Sequence, residues 1–151
     1  MLIKRIHSDF GNKFTIAMAP LSYSLKNDEP GMGGFSYKEL FNSPEGKYID
    51  YFNGQFYGDF GEKAYDDAVN NGYPANKIVM GMLSGLFNQN NFKQALVEIK
   101  NLSNKYEYDF GGVFIWEYND CPPDKNNKSK WAIEINSVLK KTSYTDYCVI
   151  S

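Results

Sequence analysis

The sequence holds very little arginine and histidine. Arg5 is the only arginine among 16 cationic residues, so bidentate guanidinium contacts to phosphates or bases have almost no material. A net charge of −2 adds no attraction for a phosphate backbone, and nucleic acid is not an expected partner. His7 stands alone, which removes histidine-based zinc centres and serine–histidine–aspartate triads. The two cysteines, Cys121 and Cys148, have neither CxxC nor metal-ligand spacing. They can pair with each other, or remain free thiols in a reducing compartment. The glycines of GMGG (31–34) lack the spacings of either nucleotide-binding loop, and the stretch reads as a flexible loop over a cleft. No metal or cofactor is expected. No apolar run approaches the ~20 residues of a membrane span. The opening MLIKRIHSDF is too polar for a signal peptide, so the chain as written is expected in the cytoplasm, away from membranes.

Aromatics, by contrast, are plentiful: 12 Tyr, 11 Phe and 2 Trp make 17% of the 151 residues. Such side chains build cores, and when exposed they are platforms for sugar rings. A chain of this length buries one real core. Four near-continuous apolar runs read as strands: FTIAMAP (14–20), YIDYFNGQFY (48–57), NKIVMGML (76–83) and FGGVFIWEY (110–118). Runs without strict alternation suit parallel strands covered on both faces. Helical spacing marks residues 62–72, closed by Gly72 and Pro74, then 90–106 and 128–141, while residues 2–10 look like the end of another helix. Strand–helix alternation predicts a parallel sheet. Helix-to-strand connections are short, and strand-to-helix connections are long, as in residues 22–46. That asymmetry favours a (β/α)8 barrel, which needs about 250 residues, over an open doubly wound sheet. Within YFNGQFYGDFG (51–61), Gln55 and Tyr57 are two apart and so share one strand face.

Taken in order, FTIAMAP, YIDYFNGQFYGDFG, KIVMGML and GGVFIWEYND resemble the fifth to eighth strands of a family-18 glycoside hydrolase, of the chitinase type. The resemblance spans residue 2 to about 141, and QFY and GGVFIW carry it most specifically. It implies the C-terminal half of a TIM barrel over 1–141, with 142–151 as a tail. It further implies a chitin-type oligosaccharide of β-1,4-linked N-acetylglucosamine as substrate, cleaved with the substrate's own acetamido oxygen as nucleophile. On that resemblance Gln55 and Tyr57 hold the acetamido group, with Tyr57 in a supporting catalytic role, and Trp116 floors the sugar. Met18 and Glu117 complete the expected substrate contacts. The plainer alternatives are a satisfied polar pair in the core for Gln55 and Tyr57, and simple packing for Trp116. Glu117 and Asp120 read equally as solvated loop charges. One departure falls at Gly58, where the family commonly has Asn.

No Asp in the chain is followed by Asp at three and Glu at five, so the family's D-x-x-D-x-E acid motif is missing from it. General acid help supplies ~10²–10⁴-fold. The expectation is therefore a half-domain inactive alone that works only with an N-terminal half-barrel, or else a catalytically dead carbohydrate-binding remnant; its open edges are expected to pair with that half or in a homodimer. Ile16, Met18, Val79 and Phe114 are expected to face the barrel interior, and the first and last strands to be open edges.

Overall fold

The computed structural model describes residues 2–140. Cys148 and the tail 142–151 lie outside the described residues. The first helix, α1 (Leu2–Phe10), buries Ile3 and lays His7 flat on the Tyr48 ring, with centroids 3.9 Å apart. Four parallel strands follow: β1 (Ala17–Met18), β2 (Tyr51–Gly54), β3 (Ile78–Leu83) and β4 (Val113–Trp116). Their spatial order is their chain order, β1-β2-β3-β4, so β1 and β4 are both edges. The helices between and after them are α2 (Ser22–Lys26), α3 (Tyr37–Asn42), α4 (Glu62–Asn70), α5 (Gln89–Tyr106) and α6 (Ser129–Val138). The segment 22–46, read from sequence as a long connection, thus holds two short helices.

Register decides which side chains share a face. Met18 pairs with Phe52, Phe52 with Ile78, and Met80 with Val113. This row, with Met82, lies under the helices, and Phe52, Ile78, Met80 and Met82 are fully buried. Each such side chain contributes about 1.5–3 kcal/mol of transfer free energy. The alternate row, Ala17, Asn53, Val79 and Phe114, faces away from that core. Among the described residues, the expectation of strands covered on both faces holds for one face only. Two of the residues expected in the interior row lie on the other side. Ile16 is 7% exposed within the core, and Met18 packs against that core, because strand parity places both beneath the helices. Val79 and Phe114 do lie on the open side.

The strands are shorter than their apolar runs, for local reasons. In FTIAMAP the pairing is confined to Ala17–Met18, and Pro20 has no N–H to continue it. In FGGVFIWEY the strand starts only at Val113. Gly111 lies so close to β3 that a Cβ there would sit 2.1 Å from the Ile78 carbonyl oxygen. Tyr65 of α4 staples this corner. Its hydroxyl donates to the Ala75 oxygen (2.7 Å) and accepts from the Gly111 N–H (3.2 Å). The adjoining helices are held by polar contacts. Glu98 of α5 accepts from the Glu62 N–H at the start of α4 (2.9 Å), and Asp66 accepts from both Lys105 and Tyr106. Helix α5 opens on a capping box in which Asn88 and Asn91 satisfy each other's backbone N–H groups. Cys121 is buried, which pushes its thiol above its ordinary value.

Candidate functional site

Parallel βα folds place their chemistry at the carboxyl ends of the strands, on the loops that follow. Strand β2 ends at Gly54, where a Cβ would meet the Phe56 ring at 2.4 Å, so the ring folds back beneath the strand end. Gln55 follows in an isolated parallel bridge with Leu21. Its N–H donates to the Pro20 oxygen (2.8 Å), and its carbonyl accepts from the Ser22 N–H (3.2 Å). Its side-chain Nε2 donates to the Ala19 oxygen (2.7 Å). With the N–H end anchored, the amide has an acceptor oxygen to offer a ligand.

Tyr57 lies beyond the strand, in the turn Tyr57–Asp59, rather than on it as the two-residue spacing suggests. The alternation nevertheless persists: Phe52, Gly54 and Phe56 are buried, whereas Asn53, Gln55 and Tyr57 are half-buried. The burial alternation thus continues through Tyr57, although the paired strand has already ended. Partial burial raises the Tyr57 phenol above its ordinary value, which keeps it a neutral hydrogen-bond donor. The next residue, Gly58, has open space where a side chain would project.

On β4, Trp116 pairs with Leu83, and Phe114 with Gly81. Gly81 accommodates the Phe114 ring, since a Cβ there would stand 2.4 Å from it. By the same parity as Val79 and Gln55, Phe114 and Trp116 belong to the open face. Trp116 is 61% exposed, so its indole is accessible at the end of the strand. The Trp116–Glu117 peptide bond is cis. Ser84, just past β3 and 2% exposed, accepts from the Glu117 N–H (2.9 Å) and so fixes the chain directly after the indole.

The structure thus sets Gln55 and Trp116 at the carboxyl ends of β2 and β4 on the open face, with Tyr57 in the turn just past Gln55. It does not bring Met18 there, because Met18 lies on the helix-covered face in register with Phe52. Glu117 is exposed at the rim, and Asp120 is paired with Lys125 at 3.0 Å. Ser84 was not singled out from the sequence. Its signal was a lone hydroxyl residue at the carboxyl end of an apolar strand. A polar recess lined by Asp28, Ser36, Lys38, Glu39, Asn42 and Ser43 lies at α3, and none of the expected site residues lines it. Among the described residues no group of three or more His, Cys, Asp or Glu is placed to hold a metal ion. Likewise, no helix among them is long and apolar enough to cross a membrane.

No protein-family model and no curated protein matches the chain. Solved structures do. A fungal endo-beta-N-acetylglucosaminidase from glycosyl hydrolase family 18 is 32% identical, with a TM-score of 0.79 over 92% of this chain and 50% of that one. A chitinase from Aspergillus fumigatus is 28% identical, with a TM-score of 0.68 over 90% of this chain and 51% of that one. The chain spans about half the length of the structures it matches. Its structural neighbours are family-18 glycoside hydrolases, in line with the resemblance read from the four strand motifs.

Proposed function

We propose that this chain supplies the acetamido-reading half of a chitinase-like sugar site, its strands standing as the fifth to eighth of a (β/α)8 barrel. The observation that supports the reading is that an anchored Gln55 and an exposed Trp116 stand at the carboxyl ends of β2 and β4 on the open face, with Tyr57 in the turn just past Gln55. An N-acetyl group offers one N–H donor and one carbonyl acceptor. The anchored Gln55 amide complements the first, and the neutral Tyr57 hydroxyl the second. Holding the acetamido oxygen near the anomeric carbon aligns it for internal attack. Trp116 offers an indole to the apolar face of a pyranose.

The residues of this chain include no D-x-x-D-x-E acid, so bond cleavage requires a carboxylic acid from elsewhere. The free edges of β1 and β4 and the open face are suited to a second four-stranded unit, either an N-terminal half-barrel or another copy of the chain. The chain alone is expected to bind N-acetylated chitin oligomers weakly, around millimolar. Calorimetric titration tests this. Tyr57→Phe and Trp116→Ala should each abolish binding, and deacetylated glucosamine oligomers should not bind. Equal binding of acetylated and deacetylated sugars overturns the acetamido reading. A fluorogenic chitobioside should not be turned over by the chain alone. A rate near ~1 s⁻¹ would show an acid within it and make Glu117 the first suspect. The second reading, a carbohydrate-binding domain without catalysis, is favoured by the same missing motif. It is chosen if adding the other half-barrel restores no hydrolysis.

A further inference from the structure

We infer that Lys26 and Asp59 are positioning residues: their ion pair sets the place of Tyr57 relative to Gln55. This rests on the acetamido reading above for its consequence in binding, and on geometry alone for the latch itself. Lys26 is the last residue of α2, the helix that follows β1, and Asp59 closes the turn that carries Tyr57. The Lys26 Nζ donates directly to Asp59 Oδ2. Their side chains are only 20% and 34% exposed, so solvent screens this pair less than an ordinary surface bridge. The second carboxylate oxygen, Asp59 Oδ1, is buried and has no partner. Lys26 is therefore what satisfies this half-buried carboxylate, and removing it forces the turn to move until water reaches the charge.

Phe56 and Phe60 on either side of the turn are packed, Phe56 in the core and Phe60 edge-on against Phe87, but the residues between them have few ties of their own. The turn's one backbone bond is the Asp59 N–H to the Phe56 oxygen at 3.3 Å, and Gly58 and Gly61 flank the carboxylate with no side chains of their own. Gln55, in contrast, is held three times, by the oxygens of Ala19 and Pro20 and the N–H of Ser22. Residues 19–26 therefore anchor both halves of the pair: Gln55 through backbone groups, and Tyr57 through the Lys26 charge. A ligand that grips Gln55 and Tyr57 at once reads the spacing this segment imposes. A displacement of about an ångström at such a contact is enough to lose much of it.

The test uses the full chain with Lys26→Met, Lys26→Arg and Asp59→Asn. Amide exchange is read by mass spectrometry over 57–60, with 78–83 in β3 as the internal reference, and tri-N-acetylchitotriose affinity by calorimetry. Lys26→Met and Asp59→Asn should exchange the one hydrogen-bonded amide of 57–60, that of residue 59, about tenfold faster with β3 unchanged. They should also bind the trisaccharide about five- to tenfold more weakly. Lys26→Arg should preserve both properties. Unchanged exchange over 57–60 in both charge-removing variants overturns the latch. So does a loosened turn with undiminished affinity, since positioning would then be irrelevant to the ligand. Faster exchange in β3 as well would mean general destabilisation and likewise overturns it. If the unaltered chain binds no acetylated oligomer, the acetamido reading has failed, and the exchange comparison still decides the latch.

Discussion

The two faces of the four-stranded sheet are built from the same apolar runs but do different work. Beneath the helices, Phe52, Ile78, Met80 and Met82 are sealed from water, and Gly54 yields its space to Phe56 and Leu25. On the other side, Ala17, Asn53, Gln55, Val79 and Trp116 keep part or most of their surface accessible. That open face mixes Val79, Phe114 and Trp116 with the polar Asn53 and Gln55. The contrast teaches that a continuous apolar run in a strand does not tell which of its two faces the chain itself covers.

The largest effect should come from opposing truncations. Phe52→Ala removes a fully buried ring and should cost about 3–5 kcal/mol in urea unfolding. Val79→Ala, on the uncovered face, should cost about 1 kcal/mol or less. Comparable losses would break the distinction, and a Val79→Ala cost that grows with protein concentration would show a second unit seated on that face. Size-exclusion with light scattering sharpens the same point. A dimer or larger species is expected, and a cooperative monomer that binds no ANS would mean that the open face closes on itself.

The next effect concerns the covered side alone. Tyr65→Phe leaves the Gly111 N–H without the hydroxyl that accepts from it, and the Ala75 oxygen without its donor, in a corner where water is excluded. A loss of about 1–3 kcal/mol is expected, read by the same unfolding measurement. A smaller effect is read by pH. Burial raises the phenols of Tyr65, Tyr73 and Tyr106, so the folded chain holds protons that the unfolded chain releases. Their stabilisation is complete below the unfolded tyrosine value of about 10 and declines as pH rises beyond it. Unfolding midpoints that are flat from pH 9 to about 11 would contradict this. The smallest effect is at Gly58, whose side-chain direction is open. Gly58→Asn should change stability by no more than about 0.5 kcal/mol, and a large loss would mean that the open side is tighter there than it looks.

Much of this was legible in the sequence. The helices at 62–72 and 90–106 were marked by apolar residues three and four apart and by stop signals at Gly72 and Pro74, because those patterns are local. The four strands were legible as runs, but their ends were not. Pairing is interrupted where Pro20 lacks a donor, to resume in the Leu21–Gln55 bridge, and is limited where Gly111 presses on Ile78, a contact between distant segments. Met18 was misplaced for the same reason, since a continuous apolar run carries no parity, and only the register with Phe52 assigns its face. The pair Gln55 and Tyr57 was legible because their spacing survived the end of the strand. Lys26, Asp59 and Ser84 were not, since each acquires its role from a partner roughly thirty residues away.

The coincidence of strand order with chain order bears on how the molecule comes into being. Each strand pairs with the strand made just before it, so every new strand–helix unit emerging from a ribosome meets a template already in place. No strand must wait for a distant later segment to be inserted between its neighbours, which keeps loop closures short and folding stepwise. Within these four strands, each unit is added at the rim left by the one before. A sheet grown in this way can be extended or interrupted between any two units, and a change in the number of units moves the boundary without disturbing the pairing already made.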